Sequence, residues 1–147
     1  MDLVKNNHIA LKMKSSLISK FDSKLKETAK SMFSILKDKN GIGIAANQVG
    51  ILQRISIISF NQKFEDSLIL INPEIISLSE EKVIILEGCL SFPKIERKIL
   101  RPKNIKIQYY NLKEEKSDLE ASGILARCLQ HEIDHLNGTL FIDYAYM

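Results

Sequence analysis

Two histidines separated by three residues, with a glutamate directly after the first, make His131-Glu132-Ile133-Asp134-His135 the segment best equipped for chemistry in this 147-residue chain. In a helix four residues turn through about 400°, so both imidazoles point to one side, about one turn apart, and can share a single ion. Glu132 is rotated about 100° from His131, within reach of a water at that ion but not among its ligands. Helical steps back from the histidines reach Cys128 and Ile124, so the ligand face continues an apolar stripe. Two imidazoles facing a core without partners would be costly. The remaining histidine, His8, lies in a polar N-terminal stretch and is given no role.

A catalytic ion needs a third protein ligand and an open position for water. Only 12 residues follow His135, and the lone acid among them, Asp143, is too close along the chain to fold back. Cys89 is the better candidate. It lies in Leu86-Glu87-Gly88-Cys89-Leu90-Ser91, where Gly88 permits an unusual backbone that bends a ligand off a strand end. Taken alone, such a cysteine is more often a small buried hydrophobe.

These groups need a helix beneath the histidines and a strand leading to the cysteine. Leu25, Ala29, Met32, Phe33 and Leu36 fall at helical spacing within about 22–39, with Asp22 or Ser23 as N-cap and Gly41 past the end. Strands are predicted in ILQRISIISF (51–60), LILINP, KVIIL and IKIQYY. A second helix is predicted over about 118–136, closed by Asn137-Gly138, before a short apolar tail, TLFIDY. Helix, several strands, helix is an α+β order, with antiparallel sheets packed around a central metal-binding helix. Gly41 and Gly43 are expected to flank a tight turn after the first helix. The length fits one domain, 1–147.

The composition is that of an ordinary globular protein, with 45% hydrophobic and 27% charged residues. Four scattered arginines argue against specific nucleic-acid binding. Nine lysines against four acids in the first forty residues read as a solvated face. No apolar run approaches the ~18–20 residues that cross a bilayer, and no signal peptide is evident, so the whole chain is expected to be the mature, cytoplasmic protein. Two cysteines are too few for a disulfide scaffold.

Three segments, Gly41-Ile42-Gly43-Ile44-Ala45-Ala46-Asn47-Gln48, Glu87-Gly88-Cys89-Leu90-Ser91 and Gln130-His131-Glu132-Ile133-Asp134-His135-Leu136, resemble in order and spacing the signature motifs of the peptide deformylases. The resemblance extends over about 25–143. It implies a hydrolase that removes the formyl group from the N-terminal formyl-methionine of nascent chains and releases formate. It also implies one divalent ion on Cys89, His131 and His135, with Fe²⁺ expected in the cell and Zn²⁺, Ni²⁺ or Co²⁺ possible after purification. Glu132 would carry the proton, and the Gln48 side-chain amide and Leu90 N–H would hold the oxyanion. Glu87 would pair with Arg101 in support of the site. Ile42, Ile85, Ile124 and Cys128 would line the methionine pocket, with Arg127 at its outer rim. Gly43, Ala45 and Ala46 would let the chain approach an extended substrate backbone closely, and Gly88 would also border the substrate.

The family's N-terminal Pro-Asp segment is replaced here by HIALKMKSS, and the chain stops at Met147 without the C-terminal helix of many bacterial members. This reads as a short form similar to viral members, a monomer in bacterial or infected-host cytoplasm, with ribosome docking weakened by the missing helix. Two rivals are an HExxH metallopeptidase and a non-catalytic, metal-holding binder of peptide N-termini. The first lacks a further ligand downstream, and the second has no need of Glu132 or Gln48.

Overall fold

The computed structural model describes residues 1–144. Helix α1 spans Ser23–Asp38 and begins where the Asp22 side chain accepts the Leu25 N–H at 3.0 Å, a capped start. Strands β1 (Gly43–Ala45), β2 (Ile55–Ile58), β3 (Leu68–Leu78), β4 (Lys82–Cys89), β5 (Phe92–Pro102), β6 (Asn104–Tyr110) and β7 (Lys116–Ser122) follow, then helix α2 (Gly123–Leu136). Five strands form one antiparallel sheet in the order β1-β2-β3-β6-β7, and β4 pairs with β5 as a separate two-stranded ribbon. The expected α+β architecture, with antiparallel sheets packed around the helix that carries His131 and His135, is the observed one.

Alternation along the central strands puts the two helices on opposite faces of the larger sheet. Ile57 and Ile71 join the cluster of Leu25, Ala29, Met32 and Leu36 from α1, whereas their neighbours Ile58 and Leu70 join Ala126, Leu129 and Ile133 from α2. Each fully buried Leu, Ile or Met side chain among these contributes about 1.5–3 kcal/mol. A third cluster of Leu11, Phe92, Leu140 and Phe141 packs against Cys89 and fixes the end of β4 beside α2. No helix among the described residues is long and apolar enough to cross a membrane.

The helix expected from about 118 begins only at Gly123. Residues 116–122 pair one by one with β6, and Leu119 and Ala121 pack toward the α2 cluster, so ladder bonds and burial override helical spacing. Gly123, with φ of 63°, makes the corner into the helix. Similarly, the run expected as one strand over 51–60 is extended only at Ile55–Ile58. The turn expected at Gly43 is a short edge strand, and the left-handed residue after α1 is Asn40, not Gly41. Gly138, with φ of 77°, closes α2, and a Cβ there would lie 2.7 Å from the Lys12 carbonyl oxygen.

Candidate metal centre and its pocket

α2 presents His131 and His135 side by side, with ring centroids 4.9 Å apart, and both are buried. A register shift between Gly88 and Cys89 at the end of β4 turns the thiol toward them. The sulfur lies 3.3 Å from His135 Nε2, and one donor atom from each of Cys89, His131 and His135 falls within 4.8 Å of the others. Tetrahedral coordination with metal–sulfur bonds of about 2.3 Å and metal–nitrogen bonds of about 2.0–2.1 Å sets neighbouring donors about 3.5 Å apart. The observed spacing and the one-thiol, two-imidazole donor set therefore fit one divalent ion.

A buried charge network orients the first histidine. His131 Nδ1 lies 3.0 Å from Glu87 Oε1, which leaves Nε2 for the ion. Arg101 grips the same carboxylate with Nε at 2.6 Å and Nη2 at 3.0 Å, and Arg127 Nη1 adds a contact at 2.7 Å. Burial alone would push the Glu87 carboxyl up, but hydrogen bonds with His131, Arg101 and Arg127 and the Arg101 charge outweigh it and hold it at about 2. Burial also opposes a charge on His131, yet its bonds to Cys89 and Glu87 and the Glu132 charge raise it to about 10. Burial and the nearby positive charges push His135 well below the usual histidine value. The rise favours a proton on the metal-free His131 ring, which an ion would have to displace. Uptake of Zn²⁺ or Ni²⁺ at about pH 7 is expected to release at least one proton per ion. Calorimetry in buffers of different ionisation enthalpy checks this, and a binding heat independent of buffer would contradict it.

Glu132 sits beside this triad, 4% exposed, with no partner for Oε1 among the described residues. Burial raises its carboxyl to about 7 against the pull of His131 and Arg101, a value suited to taking and returning a proton near neutrality. Gly43 makes room for it, since a Cβ there would run into the Glu132 carboxylate. Gly43→Ala is therefore expected to retain the ion and to lower kcat by about tenfold or more, because a small misplacement of a catalytic group is costly. Metal content and turnover of the variant test this; unchanged turnover would show that Glu132 has space to move.

Gln48, 1% exposed, follows β1 in the turn Ala46–Val49. Its Oε1 accepts the Ala45 N–H at 2.9 Å, so Nε2 faces the centre, 3.6 Å from Cys89 Sγ and 3.3 Å from Ser91 Oγ. An open cavity of about 600 Å³ reaches these groups and is lined by Ile42, Gly43, Gly88, Leu90, Ile124 and Cys128, among others. Ile42 and Ile124 are substantially exposed, as apolar walls awaiting a ligand would be. A second cavity of about 470 Å³ lies between the ends of β3, β6 and β7 and holds none of the candidate groups.

Three expectations need correction. Ile85 is not a wall of this cavity; Leu86 is, because successive strand residues face opposite ways. Gly88 has an ordinary backbone, and the register shift after it redirects Cys89. Arg127 is not an outer-rim residue but is 4% exposed, and besides Glu87 it donates to the carbonyls of Ile99 and Val83. The sequence carried a signal for that last role: Arg127 precedes His131 by four residues and shares its helix face. Asp134, Tyr144 and Ser91 also belong to the site's surroundings, and no role for them follows from the sequence. Asp134 lies three residues after His131, whereas Tyr144 and Ser91 offered no local pattern.

The chain is similar in sequence and fold to known proteins. The polypeptide deformylase family matches residues 1–147. A peptide deformylase of Bartonella bacilliformis is 45% identical over 138 residues, covering 88% of this chain and 76% of its own. The crystal structure of the Plasmodium falciparum peptide deformylase superposes with a TM-score of 0.96 at 41% identity, over 99% of this chain and 87% of that one. The Thermotoga maritima enzyme gives 0.94 at 38% identity, over 99% and 97%. The chain belongs to the peptide deformylase family.

Proposed function

We propose that the chain, as one catalytic domain over 1–147, removes the formyl group from N-terminal formyl-methionine of nascent peptides at the Cys89, His131 and His135 centre, with Fe²⁺ as the ion used in the cell. The observation that carries this reading is the buried Glu132 carboxyl, whose Oε1 has no partner among the described residues, beside three converging metal donors at the base of a largely apolar cavity. A thiolate and two imidazoles suit Fe²⁺ as well as Zn²⁺, Ni²⁺ or Co²⁺, and the buried Glu87 network tunes whichever ion is held.

When bound, the ion supplies Lewis acidity, activating water and polarising the formyl carbonyl. Glu132 accepts the water proton and later delivers it to the departing amine, which becomes the free methionine N-terminus. As the carbonyl carbon becomes tetrahedral, Gln48 Nε2 and the Leu90 N–H donate to its oxygen. The fixed contact of Gln48 Oε1 with Ala45 supports this role, because it commits the amide to presenting its N–H groups. Ile42, Leu86, Ile124 and Cys128 receive the unbranched methionine side chain. The free edge of β1 near Gly43 suits an extended peptide backbone. The protein acts as a monomer in the cytoplasm, on the N-termini of nascent chains.

Product analysis tests this reading against both rivals. With formyl-Met-Ala-Ser, formate and intact Met-Ala-Ser are expected. Cleavage at an internal bond would favour a peptidase, and binding without any product would favour a non-catalytic receptor.

A further inference from the structure

The C-terminal segment reaches the metal centre through a chain of polar contacts. Tyr144 follows the turn Phe141–Asp143, and its hydroxyl donates to Asp134 Oδ2 at 2.6 Å. The same carboxylate oxygen accepts from Arg101 Nη1 at 2.7 Å. Arg101 Nη1 also lies 3.3 Å from the Tyr144 oxygen, and the guanidinium carbon sits 4.6 Å from the centre of the tyrosine ring. The other Arg101 nitrogens hold Glu87, which holds His131. Tyr144, Asp134, Arg101, Glu87 and His131 therefore form one unbroken sequence of contacts, ending on a candidate ligand.

Anchoring the segment does not by itself call for this arrangement, because Leu140 and Phe141 already bury their side chains at 1% exposure. The tyrosine hydroxyl and ring are spent on Arg101 and its second carboxylate partner. With Asp134 on Nη1 and Glu87 on Nε and Nη2, both ends of the guanidinium plane are pinned. An Arg101 released at one end can pivot and take Glu87, and then the His131 ring, with it.

We infer that Tyr144 and Asp134 are positioning residues that fix Arg101 and so govern how firmly His131 keeps the ion in place. This rests on Cys89, His131 and His135 being the ligands. Groups bonded directly to a metal ligand commonly alter its retention by 10–100-fold, and the further contacts that separate Asp134 and Tyr144 from His131 put these two at or below the low end. Asp134→Asn is expected to speed metal loss about tenfold, and Tyr144→Phe, which removes one oxygen, roughly threefold. The double variant should fall short of the product of the two single effects, because the tyrosine hydroxyl, Asp134 and Arg101 share one network.

The test uses full-length protein loaded with Co²⁺. The thiolate-to-cobalt absorption is followed while dipicolinate strips the ion, and thermal midpoints are recorded alongside. Phe21→Leu, which loosens a ring contact with Tyr110 on the α1 side, serves as a control for general destabilisation. Faster loss in Tyr144→Phe, with a shifted cobalt spectrum and no such change in Phe21→Leu, supports the inference. Loss at the wild-type rate in Tyr144→Phe and Asp134→Asn, or a rise matched by Phe21→Leu, would overturn it. If Asp134→Asn does not fold, Tyr144→Phe decides alone. Wild-type protein that takes up Co²⁺ without a thiolate band would instead overturn the ligand assignment, a failure visible before any variant is compared.

Discussion

Glu132→Gln is expected to keep one ion per chain and to lose at least a hundredfold in kcat, with KM little changed. A glutamine fills the same space beside the triad but cannot carry a proton, and positioned acid-base groups are typically worth 10²–10⁴-fold. Equal losses in kcat and kcat/KM would mark an interaction made in the transition state and not in substrate binding. The carboxyl must be ionised to accept a proton, so kcat/KM of the wild type should fall as the medium is acidified. Burial raises the group from 4.5 to about 7, and a cation beside it acts in the opposite direction, so the acid limb should lie between those values. A variant retaining a tenth or more of wild-type kcat would remove Glu132 from the proton path.

The second large effect is expected at Glu87. Its carboxylate is the common partner of Arg101, Arg127 and His131, and both guanidiniums are almost fully buried. Replacing it with glutamine leaves two buried cations short of a counter-charge. Breaking a buried pair in this way typically costs about 3–5 kcal/mol of folding stability, measurable by denaturant unfolding of the metal-free protein. Metal affinity should fall about 10–100-fold as the His131 ring loses its guide. The pH dependence carries its own sign. A carboxyl whose folded value is depressed from 4.5 to about 2 contributes stability that is fully present above 4.5 and is lost as pH falls toward 2. Wild-type protein should weaken across that window more steeply than Glu87→Gln. Parallel curves for the two would show that the carboxylate is not the hub of the network.

Much of this site was legible in the sequence because helical periodicity is local. His131, Glu132 and His135 are separated by fractions of two turns, so their relation needs no knowledge of the rest of the fold. Cys89 was only one candidate on residue grounds, since what brings it to His135 is the pairing of β4 with β5 and the apolar cluster around Phe92 and Phe141. β5 is visible only through the resemblance that pairs Arg101 with Glu87: its Pro93, Lys94, Glu96, Arg97 and Lys98 mask a strand that lies half in solvent on a two-stranded ribbon. The boundary at Gly123 was missed because residues 118–122 look helical in isolation and extend only when β6 offers its edge. The exchange of Ile85 for Leu86 has the same origin, because strand facing is set by register and a shift of one residue inverts it. Arg127, Asp134 and Tyr144 belong to a network defined by tertiary contacts alone, apart from the helical spacing of the first two.

The central claim is that a single ion, held by Cys89, His131 and His135, makes this chain a deformylase. Its most direct test is to titrate metal-free protein anaerobically with Fe²⁺, and in parallel with Ni²⁺, while following formate release from formyl-Met-Ala. Activity should rise in proportion to bound metal and level off at one ion per chain. Formate release at full rate without metal, or none at one bound ion per chain, would contradict the account.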